Sequence, residues 1–369
     1  MPTTQNTLLE CIPSYVQELM AYKPGKALEE IKAEYGFDKA IKLASNENPF
    51  GPSTKAMEAV QKAIANTFRY PDPVSRNLRE KIAAKFAVKA EEIIVGAGSE
   101  SLLSILCRTV MKPGDVALMG EGAFLGFPVH CKAMGGVLKT VPSPNYRFDV
   151  DAIIHALDDS VRILYLPNPN NPTGTYITQA ELDRILAALP KSTLLLIDEA
   201  YTEFCQDLPD YPQTLQLRSD NVVILRTFSK AYGLGGMRVG YGVASPRLIE
   251  QATKIKMTFE VTLLSQVAAE AALHDDAFLR QTVENNTKEK ARYYAFFEKH
   301  SMKYVPSHGN FILVECESED RVNEINEALL KQGIAIRPLK AFGFPNCLRI
   351  TIGLPEENDA LFKAFEGVV

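Results

Sequence analysis

From Glu92 onward the chain alternates short apolar runs with helical patterns, and this alternation constrains its fold more than any other feature. The runs are Ile93–Val95, Val116–Met119, Val137–Val141, Ile163–Leu166, Leu194–Ile197, Val222–Leu225 and Val239–Val243. Helical patterns fall at Ser99–Thr109, Phe127–Met134, Val150–Ala156 and Gln179–Ala188. As a set the runs lack the every-second-residue polar positions of a half-solvated strand, so both faces of the sheet are expected to be covered. Such alternation predicts the α/β class: a mostly parallel, mixed sheet sandwiched by helices.

The flanks follow a different pattern. Residues 1–30 carry Pro13, Pro24 and Gly25 and predict an irregular arm with one short helix. Helices are expected at Thr54–Ala65 and at Leu78–Phe86, where Leu78, Ile82 and Phe86 share a face. A long helical region begins at Pro246–Met257 and runs to about Lys299, with a break near Phe259–Leu263. After it come strand Asn310–Val314, helix Arg321–Gln332, strands Ile334–Pro338 and Cys347–Ile352, and a last helix from Glu356. The 369 residues suffice for two domains, at about 100–200 residues each. The expected division is an arm over 1–44, a large domain over 45–265 and a smaller α+β domain over 266–369. The arm is expected to pack with the smaller domain.

Composition narrows the function. Apolar residues make up 46%, which supports a large core, and the net charge of −5 argues against nucleic acid or an anionic membrane as the main partner. Six cysteines are scattered without a C-x-x-C pair, as free thiols in a reducing compartment would be. The five histidines show no metal-ligand spacing, so no metal is expected. The first ten residues hold no basic stretch followed by an apolar one, and no run reaches the ~18 apolar residues of a membrane span. The expectation is a cytoplasmic protein.

The chemistry concentrates after the apolar runs, where open α/β sheets bind ligands. The run Val222–Leu225 leads through Thr227 and Ser229 to Lys230, and Arg238 follows a turn over Gly233–Gly236. A lysine amine can form a Schiff base with an aldehyde cofactor. Hydroxyls and a guanidinium beside it can hold that cofactor's phosphate. Leu194–Ile197 ends in Asp198, with Tyr201 three residues on. A buried carboxylate needs a partner, and a pyridinium nitrogen would be one. The loop Pro167–Gly174 is dense in proline and asparagine; it is a rigid turn that could also aim the Asn171 amide at a phenolate oxygen. Gly96 and Gly98 lead into Ser99 and Glu100 at a helix start, where free N–H groups favour a phosphate. A plain strand-to-helix turn fits that motif equally. Arg349 sits among apolar and β-branched neighbours in Leu348–Ile352 and calls for an anionic partner, unless it faces solvent from an edge strand. Arg337 carries the same ambiguity.

Together these motifs resemble the fold-type I pyridoxal-phosphate aminotransferases, from about Tyr22 to Ile352. Three N-terminal stretches narrow the resemblance to the histidinol-phosphate aminotransferases: Ala21–Lys26, Lys42–Pro52 and Arg69–Asp72. The resemblance implies a transaminase of histidine biosynthesis. It would interconvert histidinol phosphate and 2-oxoglutarate with imidazole acetol phosphate and glutamate, using pyridoxal 5'-phosphate. By resemblance Lys230 forms the Schiff base and acts as general base, Asp198 pairs with the ring nitrogen, and Asn171 and Tyr201 bond the ring oxygen. Thr227, Ser229, Arg238 and the backbone of Ser99 and Glu100 would bind the cofactor phosphate. Tyr70 would reach the neighbouring subunit's cofactor, which implies a homodimer. Phe124 would stack on the ring. Many relatives place a tyrosine there after proline and threonine, whereas Gly122 and Ala123 precede a phenylalanine here; stacking needs only the aromatic face. Tyr22, Asn171, Arg337 and Arg349 would bind substrate, with the two arginines not assigned to particular substrate groups.

Two relatives of the same superfamily remain as alternatives: an aromatic amino acid aminotransferase and an O-phosphothreonine decarboxylase. A transcription regulator would need a basic DNA-binding helical domain, and no such pattern appears. A nicotinamide-binding dehydrogenase would need a third glycine where Ser101 stands, and it would leave Lys230 unexplained.

Overall fold

The computed structural model describes residues 8–20, 28–37, 39–217 and 219–368. Thirteen strands lie among them. In chain order they are β1 (Ile41–Lys42), β2 (Ile93–Gly96), β3 (Val116–Gly120), β4 (Val137–Val141), β5 (Val161–Pro167), β6 (Leu194–Asp198) and β7 (Val222–Thr227). There follow β8 (Gly240–Val243), β9 (Lys303–Val305), β10 (Phe311–Glu315), β11 (Ile334–Ala335), β12 (Arg337–Pro338) and β13 (Cys347–Thr351).

Seven of these form one sheet in the order β2-β8-β7-β6-β5-β3-β4. The pairs from β7 through β4 are parallel, while β8 runs antiparallel to both β7 and β2. The reason is the connection. Parallel neighbours need a long crossover, usually a helix. Between Thr227 and Gly240 there is only the 3-10 turn Gly235–Met237, so the chain folds straight back.

Helices cover both faces, and the strand pleat sorts the core between them. On β2, Ile94 packs with Leu102, Leu106 and the central strands, whereas Ile93 and Val95 face Leu78, Ile82 and Ala268. The covering helices are capped by their own sequence. Ser53 accepts from the Ala56 N–H at 3.2 Å to start Thr54–Ala63, and Thr178 with Glu181 forms a capping box for Gln179–Ala188. Among the described residues no helix is long and apolar enough to cross a membrane.

Outside the large sheet are a four-stranded sheet, β12-β13-β10-β9, whose strands all follow it in sequence, and the pair β1–β11, whose first strand precedes it. Leu43 joins Ile312, Ile334, Ile350 and Phe365 in a separate apolar cluster, so the end of the N-terminal arm packs with C-terminal elements.

Several boundaries differ from the sequence expectation. The helical region from Pro246 contains two breaks rather than one, giving Pro246–Ile255, Leu263–Leu273 and Asp276–Lys299. The unforeseen break falls at His274–Asp275, where Asp275 leaves helical geometry and pairs with Lys55 at 3.2 Å. An acid there also suits the positive end of the following helix. The single strand expected over Ile334–Pro338 serves two sheets: β11 pairs with β1, and β12 pairs with β13. β1 and β9 are too short to announce themselves in the sequence.

One buried ion pair braces the middle of the large sheet. Arg226 on β7 meets Glu199, the residue after β6, at 2.8 Å, and the Glu199 side chain is wholly buried. Glu199 also accepts from the Thr214 hydroxyl. Removing one partner of such a pair leaves an uncompensated buried charge. Arg226→Met is therefore expected to lower unfolding free energy by about 3–5 kcal/mol in urea denaturation. A change below about 1 kcal/mol would show that the pair does not brace the sheet.

Candidate active site

The parallel strands bring their carboxyl ends to one edge of the large sheet, and there a cleft of about 230 Å³ opens. The reversed strand β8 contributes its start to the same edge, which is how Arg238 arrives beside residues from β6 and β7.

Asp198 ends β6, a strand whose five residues are all buried, and is itself 5% exposed. The Tyr165 hydroxyl, on neighbouring β5, donates to Asp198 Oδ2 at 2.9 Å. Asp198 Oδ1 is equally buried and has no hydrogen-bond partner. Burial pushes the carboxyl up to about 6, against the Tyr165 bond, which favours the charged form. A buried carboxylate with an unsatisfied oxygen facing a cleft is suited to a cationic or N–H partner.

Lys230 lies past the end of β7, and its Nζ donates to the Ser45 carbonyl at 3.2 Å. Burial, followed by the charges of Arg349 and Arg238, pulls its amine down to about 8. Tyr201 stands beside it, with Nζ 5.9 Å from the ring centroid. The Tyr201 hydroxyl accepts from Asn46 Nδ2 at 2.9 Å, and burial pushes this phenol up to about 12.

Asn171 lies in the loop after β5, which holds two cis bonds, Asn168–Pro169 and Asn171–Pro172. Asn168 anchors the loop by exchanging hydrogen bonds with the Ile177 backbone, and Asn170 reaches the Gly122 carbonyl at 3.0 Å. Arg349 donates to Asn171 Oδ1, which commits the amide oxygen and leaves Nδ2 as a donor to the cleft. A second guanidinium nitrogen of Arg349 donates to the Ala44 carbonyl at 2.8 Å. Arg349 is buried, not solvent-facing.

At the other end of the cleft is an anion cradle. Gly98, with φ +87°, turns the chain into the helix Ser99–Val110. A Cβ there would fall 2.6 Å from an Arg238 nitrogen, so glycine is what lets the guanidinium lie against the helix start. Arg238 takes a left-handed conformation (φ +51°) and donates to Ser229 Oγ at 3.3 Å and to the Gly235 carbonyl at 3.0 Å. Thr227 Oγ1 donates to Ser229 Oγ at 2.9 Å. Helix N–H groups, two hydroxyls and a guanidinium match a phosphate. Phe124 offers the flat apolar wall of the cleft.

Ten of the residues anticipated from the sequence thus share one cleft: Ser99, Glu100, Phe124, Asn171, Asp198, Tyr201, Thr227, Ser229, Lys230 and Arg238. Arg349 joins them through Asn171. Arg337 does not line the cleft; it is half-buried on β12, opposite Arg349 in the strand register. Tyr70 is 82% exposed and stacks on Phe259 at 4.6 Å, outside its own chain's cleft. Tyr22 falls outside the described residues. Two contributors were missed. Tyr165 could have been found by asking where a hydroxyl in a fully buried strand finds its partner. Asn46 carries no local signal, because its partner is 155 residues away.

Comparison with known proteins identifies the family. The family described as aminotransferase class I and II matches residues 38–365. Histidinol-phosphate aminotransferase 1 of Mannheimia succiniciproducens is 39% identical over 97% of this chain and 98% of its own. The histidinol-phosphate aminotransferase of a Geobacillus species is 41% identical over 96% of each. Among solved structures, the Sinorhizobium meliloti histidinol-phosphate aminotransferase in complex with pyridoxal-5'-phosphate superposes with a TM-score of 0.89, at 29% identity and 97% coverage of both chains. With the family matched almost end to end and the fold reproduced, the chain belongs to the class I and II aminotransferases and, within them, to the histidinol-phosphate aminotransferase family.

Proposed function

We propose that this chain transfers an amino group between histidinol phosphate and 2-oxoglutarate, giving imidazole acetol phosphate and glutamate, with pyridoxal 5'-phosphate as cofactor. The observation that carries the reading is the pairing of Lys230, its amine pulled down to about 8, with the buried, half-satisfied carboxylate of Asp198 in one cleft.

The residues fit the cofactor on their own chemistry. Asp198 Oδ1 is an orphaned buried acceptor suited to a ring N–H, and a Cβ at Gly98 would fill the cradle suited to its phosphate. Thr227, Ser229, Arg238 and the N-terminus of Ser99–Val110 would hold that phosphate, with Phe124 against the ring. Asn171 Nδ2 and the Tyr201 hydroxyl would bond the ring oxygen. When bound, pyridoxal phosphate supplies an electron sink for the pair left on the substrate α-carbon.

The chain's own groups supply the rest. Above pH 6 Asp198 is a carboxylate and can keep a ring nitrogen protonated. Lys230 holds a large neutral fraction near pH 8, so its amine would be a nucleophile toward an aldehyde and, once displaced by the substrate's own amine, a base for the substrate α-carbon proton. Arg349 and Arg337 face each other across β12 and β13. Like charges directly opposite destabilise a strand pair, and a dianionic phosphate relieves that repulsion. This supports a phosphorylated substrate over a phenyl side chain.

Three further assignments belong to the same reading. The chain acts as a homodimer: Phe68, Tyr70, Met257 and Phe259 leave apolar surface exposed, and Tyr70 would complete the partner's cleft. The division into 1–44, 45–265 and 266–369 is supported by the separate sheets, with Ala268, Ala269, Ala272, Leu273 and Leu279 reaching back across the second boundary into the large sheet's core. The protein works in the cytoplasm, consistent with its free cysteines.

Lys230→Ala is expected to abolish turnover of histidinol phosphate with 2-oxoglutarate and to abolish the absorbance of the Schiff base between the chain and its cofactor. Turnover near that of the parent protein would rule the reading out. Cofactor capture by the cofactor-free protein should speed up as pH rises through about 8, because only the neutral Lys230 amine attacks. A stopped-flow rate that stays flat from pH 6.5 to 9.5, a span of roughly three units around that value, contradicts this. Comparing kcat/KM, histidinol phosphate should exceed phenylalanine by about two orders of magnitude. The reverse order would favour an aromatic aminotransferase.

A further inference from the structure

The segment Ala44–Asn46 touches three groups of the cleft at once. The Ala44 carbonyl accepts from Arg349, the Ser45 carbonyl accepts from Lys230 Nζ, and the Asn46 side chain donates to the Tyr201 hydroxyl. Asn46 is the member that acts through its side chain, and it is 1% exposed.

We infer that Asn46 is a positioning residue for Tyr201: its amide donates to the phenol oxygen and thereby directs the phenol proton into the cleft. The inference rests on the role given to Tyr201 above and extends it. A hydroxyl has one proton and two acceptor positions. With Asn46 Nδ2 at 2.9 Å on the oxygen, the proton has to point elsewhere. Ring atoms of Phe311 flank the phenol at a centroid distance of 5.1 Å and offer no acceptor, which leaves the cleft side. A phenol that already accepts a hydrogen bond is also a better donor, because hydrogen bonds in a chain polarise one another. The charged neighbours of Tyr201 are Arg349, Asp198 and Lys230.

The amide is held in this orientation from behind. Thr351 Oγ1 donates to Asn46 Oδ1 at 3.1 Å and accepts from the Asn46 backbone N–H at 2.9 Å. Thr351 lies two residues beyond Arg349 on β13, so the strand that presents the guanidinium also sets the amide. Asn310 Nδ2 fixes the Asn46 carbonyl at 3.1 Å. The Asn46 backbone is left-handed, with φ +55°, a conformation asparagine tolerates and glycine adopts freely. Asn46→Gly therefore removes the amide while keeping the backbone, and Thr351→Val loosens the amide without touching position 46.

The test titrates the visible absorbance of protein reconstituted with pyridoxal phosphate. A strong donor to the ring oxygen favours the deprotonated chromophore, so weakening Tyr201 raises the pH at which its proton leaves. Asn46→Gly is expected to move that midpoint up by about half a pH unit. Tyr201→Phe should move it further, Thr351→Val less, and Asn46→Gly should add nothing in the Tyr201→Phe background. In cofactor-free protein the Tyr201 ring-carbon resonance next to the hydroxyl should also move in Asn46→Gly. An unmoved resonance, or a shift in midpoint that persists without the Tyr201 hydroxyl, overturns the inference. So does a downward shift, which would mean that the amide is reversed and accepts the phenol proton. If Tyr201→Phe shifts the midpoint and Asn46→Gly does not, only this inference falls. If Tyr201→Phe leaves it unmoved, the role of Tyr201 falls as well.

Discussion

Asp198 stands at the end of a strand that water does not reach, with one carboxylate oxygen bonded to Tyr165 and the other bonded to nothing. Burial of an incompletely paired carboxylate is unfavourable, and the fold tolerates it by assembling around it. Tyr165 comes from the adjacent strand and is itself locked by stacking on Phe127 at 4.4 Å. The next residue, Glu199, is neutralised separately by Arg226, so two successive acids meet opposite surroundings. One is satisfied and structural. The other is left open to the cleft, which is the arrangement expected where function outweighs local stability.

Around that acid the cleft gathers positive charge. Lys230, Arg238 and Arg349 lie close enough that the two guanidiniums help hold the lysine amine near 8. An aldehyde cofactor with a phosphate tail and an anionic substrate would neutralise this excess, so the repulsion that adds to burial in lowering the Lys230 amine would also prepare the cleft for its ligands. The Ala44–Asn46 segment supplies carbonyl acceptors to two of these cations. It thereby ties the element that opens the core to the last strand of the chain.

Much of this was legible in the sequence. The apolar runs named the strands because parallel strands buried on both faces need unbroken hydrophobicity. Lys230, Asp198 and Asn171 were legible because each sits where a strand gives way to a loop, the place an α/β sheet offers its ligands, and Arg238 because it follows the glycine turn after Lys230. Tyr165 was hidden because its ring satisfies the apolar pattern of β5 while its hydroxyl does the polar work. Asn46 was hidden because it lies in a loop with no periodicity. The split of Ile334–Pro338 between two sheets was not legible either, since an extended segment carries no mark of which neighbour it will pair with.

By itself the amino-acid order determined the class of fold, the elements of the large sheet and the residue types that meet at its edge, because periodicity and turn chemistry are local properties. Only the tertiary structure decided the pairing of β8 with β2, the partner of each Asp198 oxygen and the hold of Asn46 on Tyr201. Those depend on which distant segments touch, and a contact across 155 residues is set by packing of the whole chain rather than by any stretch of it.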